Sequence, residues 1–213
     1  MALTKVRGGG VDNPLTLGGG AASDRSIIFD GNAHDCHIGL DDSVDDLVIG
    51  KGSTLGTTTH MAFTEDGEVT KPLQTYFHVT KDSSGGVHQN NISNSGYDTI
   101  TFGTEIFDVG GNFASNTFTA PVTGTYFLHV RLRLDDVDTA AYYYVTGIQT
   151  SNRYHASLFL YPDSDIQIHM IEVTAIADMD ANDTAFCNIF QNGGTSQTDI
   201  NAYNTAFYGY LLG

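Results

Sequence analysis

The sequence predicts an all-β protein, and three observations carry the prediction. Glycine is frequent (24 residues) and proline scarce (4), while 12 Phe and 11 Tyr supply the aromatic side chains that pleated surfaces favour. Apolar and polar residues alternate through one segment after another, which is the period of a strand with one face covered. These segments recur at roughly ten-residue spacing with glycine or acidic turns between them, too short for helices. With 213 residues, 40% of them hydrophobic, the chain can bury a sizeable core.

Taken in chain order, residues 1–25 read as an N-terminal arm. Gly8-Gly9-Gly10 and Gly18-Gly19-Gly20 each follow a short apolar stretch, Leu3 to Val6 and Leu15 to Leu17, and neither stretch can bury a core of its own. Residues 26–72 read as a short β-repeat shaft: Ile27-Ile28-Phe29, His37-Ile38-Gly39, Leu47-Val48-Ile49 and Met61-Ala62-Phe63 recur every ten to thirteen residues or so. Strands this short are marginal alone and need partners, which other copies of the chain are expected to supply. Lys71-Pro72 breaks the pattern, because proline lacks a donor and biases its predecessor toward extended geometry.

Residues 73–213 read as a sandwich-sized head. Strands are expected at Thr75 to Thr80, Thr99 to Phe102 and Glu105 to Val109, with a polar loop around Asp82 to Gly86. Phe118 to Leu134 reads as a strand, a Pro-Val-Thr-Gly turn and a long strand in which Leu128, Val130, Leu132 and Leu134 share one face and His129, Arg131 and Arg133 the other. Further strands are expected at 141–145, 156–161, 166–173, 184–190 and 207–212. About eight to ten strands result, the number a sandwich requires.

Composition excludes several function classes. The formal charge of −16 repels phosphate backbones and anionic lipid, so no nucleic-acid partner is expected. No run of roughly 18 apolar residues exists, so no membrane insertion is expected, and the first residues carry no apolar run of the secretory kind, which points to synthesis in a cytoplasm. Cys36 and Cys187 fall in different modules and are expected to be free thiols.

Several segments together resemble a known pair of families. The run Asn112 to Phe127, the acidic turn and strand Ala177 to Phe186, and the ending Phe207-Tyr208-Gly209-Tyr210-Leu211 look like those of the complement globular-head and tumour-necrosis-factor-like heads, over about residues 73–213. The resemblance implies a C-terminal jelly-roll β-sandwich, a homotrimer, and binding without catalysis. The sequence lacks the Gly-x-y period of a collagen stalk. Phe29 to Ser53, within residues 26–70, is instead similar to repeats in fibre proteins of tailed bacteriophages, which implies an intertwined trimeric shaft.

The candidate site residues follow. Along the last strand Phe207, Gly209 and Leu211 face one way and Tyr208, Tyr210 and Leu212 the other, one set core and one set trimer seam, and the alternation does not choose between them. With Tyr76, the residues Tyr208, Tyr210 and Leu212 form the candidate trimer interface. Receptor contact is expected at Tyr143 in the Tyr142-Tyr143-Tyr144 patch and at Asn192, Thr195 and Gln197 in an amide- and hydroxyl-rich loop suited to glycans. Asp178, Asp180, Asn182 and Asp183 place hard oxygens on alternate positions and are the calcium candidates, although Asp183 and Ile189 stand where an EF-hand needs Gly and Glu. Asp163 and Asp165 form a similar pair. His34, Cys36 and His37 are suitable zinc ligands by type, but residues 34 and 37 of a strand project to opposite faces. No histidine stands in a nucleophile-and-base pattern, so no catalytic residue and no cofactor are expected, with calcium the only candidate metal.

The combined reading is a phage virion structural protein, a tail or head fibre on the particle surface. Residues 1–25 would hold a virion protein, and the trimeric head would bind a host surface glycan or protein. A capsid decoration or stabilising protein is the alternative, and a soluble complement- or tumour-necrosis-factor-like ligand is the alternative from another class.

Overall fold

The computed structural model describes residues 16–82, 88–160 and 166–213. Most of the arm expected over residues 1–25, the loop at 83–86, and Asp163 and Asp165 lie outside the described residues. The described residues contain strands and turns and no helix, and the fold is an all-β, jelly-roll one. The chain divides into two compact units between Leu73 and Gln74.

The first unit is an antiparallel meander of β1 (Arg25–Phe29), β2 (Cys36–Asp41), β3 (Asp46–Lys51), β4 (Thr59–Phe63) and β5 (Val69–Thr70), paired in that order. Each strand carries one of the apolar triplets, except that Val69–Thr70 had no strand signal of its own. The β3–β4 connection lies against one face, where Leu55 joins Val48 and Ala62 in a small buried cluster. The ring of His37 is buried on that same face and its Nδ1 lies 2.8 Å from the Gly52 carbonyl oxygen. Cys36 projects to the opposite face, so these two do not share a site.

The second unit is a two-sheet sandwich. Its strands are β6 (Tyr76–Thr80), β7 (Tyr97–Thr99), β8 (Thr104–Asp108), β9 (Phe113–Ala114), β10 (Thr117–Thr119), β11 (Gly124–Val137), β12 (Ala141–Thr150), β13 (Tyr154–Leu160), β14 (Ile166–Met179), β15 (Thr184–Gly193), β16 (Asp199–Ile200) and β17 (Ala206–Leu211). One sheet runs β13-β12-β15-β10-β9 with β7 also on β15; the other runs β14-β11-β17-β6-β8 with β16 also on β11. Neighbouring strands are mostly distant in sequence, as jelly-roll winding demands.

The core lies between these sheets. Leu128, Val130, Leu132 and Leu134 of β11 are fully buried, as their alternation predicts, and they face Ile148 of β12 and Ala185, Cys187 and Ile189 of β15 across the sandwich. Phe77 is its aromatic hub, stacked on Phe118 at 4.6 Å and on Phe113 at 5.4 Å, and edge-on to Phe207 at 5.0 Å. The last strand's open question is answered here: Phe207 and Gly209 are buried and Leu211 packs on the core, while Tyr208, Tyr210 and Leu212 face outward. Gly209 has a packing reason, since a Cβ there would stand 2.6 Å from the Phe127 carbonyl oxygen and 3.1 Å from the Phe77 ring.

Three strand expectations are corrected. The strand expected over 99–102 ends at Thr99: buried Ile100 still donates its N–H to the Cys187 carbonyl at 2.9 Å, in register with β15, but Phe102 donates instead to the Asn116 side chain at 2.7 Å. β11 continues through the acidic stretch after Leu134, where Asp136 adopts a left-handed φ of 51° while the register with β14 holds from Asp135–Ile168 to Val137–Ile166. β14 runs on to Met179, burying Ala175, Ala177 and Met179; the two alanines make its alternation less conspicuous than that of β11.

Candidate functional site

The two sheets of the head present different outer faces. On the β14-β11-β17-β6-β8 sheet, register places Phe107, His78, Tyr208, His129 and Thr174 in one row and Tyr76, Tyr210, Phe127 and Ile176 in the next. The rings form a ladder: Tyr76–Phe107 at 5.3 Å, His78–Phe107 at 5.5 Å, His78–Tyr208 at 5.4 Å, His129–Tyr208 at 4.8 Å and Phe127–Tyr210 at 5.1 Å. Burial and the Arg131 guanidinium lower the pKa of His78; burial, reinforced by Arg131 against the opposing Glu172, lowers that of His129. Both rings are thereby biased toward the neutral, stacking form. Tyr76, Tyr208 and Tyr210 stand on this ladder, and Leu212 is exposed just beyond the end of β17.

The other sheet's outer face holds a pocket. Tyr97 and Thr99 of β7, Gln149 at the end of β12, Tyr154 of β13, and Phe186 and Asn188 of β15 line a cavity of about 290 Å³. The rings of Tyr97 and Tyr154 meet at 88° with centroids 6.0 Å apart, and Tyr97 also packs on Phe190 at 5.0 Å. Tyr154 lies flat across Gly147, where any Cβ would meet its ring at 2.3 Å. Its hydroxyl donates to Asn188 Oδ1 at 2.8 Å. Burial, with Tyr97 beside it, pushes the Tyr154 phenol well above its ordinary pKa, so it stays a neutral hydrogen-bonding group. None of the six lining side chains carries a charge. Perpendicular aromatic walls with amides and hydroxyls at the rim suit a neutral, ring-shaped ligand with one apolar face and several hydroxyls.

The receptor candidates separate into two pairs. Tyr143 and Asn192 share this outer face, with Asn192 Nδ2 donating to Tyr143 Oη at 3.1 Å and Tyr143 packed 6.1 Å from Phe190. Thr195 and Gln197 belong to a loop anchored on Asp138, a carboxylate only 4% exposed. Its Oδ2 accepts the Thr195 N–H and, at 3.0 Å, the Thr195 hydroxyl; its Oδ1 accepts the Ala140 N–H at 2.9 Å. Burial raises the pKa of this carboxyl, but those hydrogen bonds outweigh it and hold the value below the usual range. The Asp138 N–H in turn donates to the hydroxyls of Tyr144 and Thr198, each at 3.0 Å. Thr195 therefore spends its side chain on the loop's own anchor.

The calcium candidates form the β14–β15 turn. The Asp183 carboxylate accepts the Asp180 N–H at 2.9 Å and the Asn152 amide at 3.0 Å, Asp180 accepts the Thr123 hydroxyl at 3.4 Å, and Asp178 lies 3.5 Å from Arg153. Asn182 takes the left-handed φ of 76° that the turn requires. Among the described residues no three His, Cys, Asp or Glu side chains gather in metal-binding geometry.

The pocket was not read from the sequence, because its walls come from three stretches about fifty residues and then about thirty residues apart. The available signal was the alternation Phe186, Asn188, Phe190, which sets three contact-type residues on one face of β15 opposite the buried Ala185, Cys187 and Ile189.

Comparison with protein-family profiles supports the architecture. The profile of the C1q domain matches residues 85–212. Among solved structures, the globular domain of a zebrafish complement 1qA protein is similar, at 15% identity over 66% of this chain and 98% of that one, with a TM-score of 0.47. No curated protein matches. Since the family profile spans more than half of the chain, the chain belongs to the C1q-domain family.

Proposed function

We propose that this protein is a trimeric ligand-binding protein of the complement-head type, whose outer-sheet pocket takes a neutral sugar. C1q domains form trimers and bind ligands, and the family match, which covers most of the head, supports the complement-type reading over a virion fibre. The aromatic ladder provides the face for assembly: Tyr76, Phe107 and Tyr210 are exposed beside half-buried Phe127 and Tyr208, and Tyr and Phe are residues that interfaces concentrate. The β13-β12-β15-β10-β9 sheet then remains outward with its pocket open.

The observation that carries the ligand class is the pocket's chemistry: crossed tyrosine rings, two amides and no charge in a space sized for one or two pyranose rings. One tyrosine ring stacks on the C–H face of the sugar while the other, perpendicular to it, meets the sugar's edge, and Asn188, Gln149 and Thr99 meet its hydroxyls. The role is binding without turnover, since the Tyr154 hydroxyl is committed to Asn188 and no lining side chain serves as nucleophile or base.

Light scattering combined with calorimetric titration of neutral oligosaccharides tests the reading. The expected result is a trimer in which Tyr154→Ala and Tyr97→Ala each weaken sugar binding at least about tenfold, roughly 1.4 kcal/mol, at unchanged mass. Unaltered affinity in both variants, or no binding to any neutral sugar tested, would remove the pocket from the function.

A further inference from the structure

We propose that the bare face of the five-stranded sheet in residues 25–70 is a self-association surface, covered in solution by the same face of the other copies of this chain. Register builds that face as a grid. Leu40, Leu47, Phe63 and Val69 lie in one row across the strands, Ile27, Ile38, Ile49 and Met61 in the next, and Phe29 beside Cys36 in a third. All nine apolar side chains of the grid are exposed or half-buried within the chain, Phe29 to 61% and Val69 to 56%. The opposite face is the one its own β3–β4 connection packs against, with Leu55, Val48 and Ala62 as the buried cluster. A patch of this breadth on a soluble protein marks an interaction surface.

Charge identifies the occupant. The chain carries a net −16, so two copies repel each other wherever carboxylates face carboxylates. On this sheet the strand carboxylates Asp41 and Asp46 project to the other face, with Val48, and the remaining acids sit in turns. The grid has no carboxylate; its charged residues are Arg25 and Lys51, at its margins. It is a surface through which like copies approach without that repulsion, and between its marginal Arg25 and Lys51 it offers no charged group by which an unrelated partner is selected. Residues 71–75 alone join β5 to the first strand of the head, a tether of at most about 18 Å. On the reading of the head as a trimer, on which this inference rests in part, three such sheets are held at high effective concentration.

The full-length protein carries its own reporter. Cys36 lies on the grid, whereas Cys187 is fully buried, so thiol exchange with uncharged 4,4′-dithiodipyridine under native conditions reads Cys36. The expected result is a trimer by light scattering in which Cys36 reacts at least about tenfold more slowly than in the Ile49→Asp chain, with the variant's mass still trimeric through its head. Ile49→Thr, which keeps β-branching, repeats the comparison if the aspartate unfolds the sheet. Equal rates in a trimeric wild type and both variants overturn the proposal and leave the head reading intact. Protection lost on deleting residues 1–15, or protection in a monomer at every concentration, also overturns it, because the cover is then the chain's own. A monomeric mass at low concentration with Cys36 protection growing as concentration rises refutes trimerisation by the head and supports the sheet as the associating element.

Discussion

In the head, the inward residues of β11, Leu128 to Leu134, are fully buried beneath a second sheet; in the first unit, the same alternation leaves Leu40, Leu47, Ile49 and Phe63 about 40% exposed. Both sets show the same period in the sequence and the same geometry in the strand. The difference is that the head folds a second sheet over its apolar side, whereas among the described residues the meander packs its β3–β4 connection on the other face. Alternation thus says that a strand has an apolar side, and says nothing about which molecule covers it.

The strongest way to break this comparison is to attack the head's self-made core. Phe77→Ala is expected to lower the stability of the head by about 3–5 kcal/mol, because the ring it removes contacts Phe113, Phe118 and Phe207 and the surrounding strands cannot close the gap. Urea unfolding followed by tyrosine fluorescence measures it, and a loss under about 1 kcal/mol would mean that the head is not held by one continuous core. A smaller effect is expected from acid on the outer ladder. His78 and His129 have pKa values lowered by burial and by Arg131, so the stability they contribute is complete above their ordinary value near 6.5 and is lost as pH falls through the lower folded values. Phe107 and Tyr208 flank His78, while Tyr208, Thr174 and the opposing Glu172 surround His129, and none of these supplies enough negative charge to reverse the sign. The melting midpoint is expected to drop between pH 7 and pH 5 in the wild type and to stay flatter in a His78→Phe, His129→Phe chain; parallel curves would show that the ladder histidines are not the titrating groups. The smallest expected effect is that of a chelator: with Asp180 and Asp183 bound into their own turn and Asp178 beside Arg153, calcium removal should leave the midpoint unmoved, and a clear downward shift would install a metal at residues 178–183.

Most of the head was legible before any coordinates, for a physical reason. Long strands covered on one side alternate strongly, and β11 does so over most of its length. Short pairings were not legible. β9 and β16 are two residues each and exist because their neighbours are already in place, as at Leu134–Ile200. The strand expected at 99–102 failed because in-register bonding to β15 stops at the Ile100–Cys187 bond and the Phe102 N–H turns to the Asn116 side chain. Among the site residues, Tyr76, Tyr208 and Tyr210 lie together on one face and Tyr143 with Asn192 on another, but Thr195 turned out to be committed to Asp138, a buried carboxylate that its sequence neighbours do not single out.

The amino-acid sequence determined by itself that the chain is all-β, that its last strand has an aromatic and an apolar-glycine side, and that its first seventy residues hold strands with an apolar side but little to cover them with. Those are properties of neighbours in the chain, set by period and turn chemistry. Only the tertiary structure decided which side of the last strand is core, because that depends on Phe77 arriving over Gly209 from 132 positions away, and only it assembled Tyr97, Tyr154 and Asn188 into one pocket. Sites of that kind are made by strands that meet across the sheet, where hydrogen-bond register sets proximity and sequence separation does not.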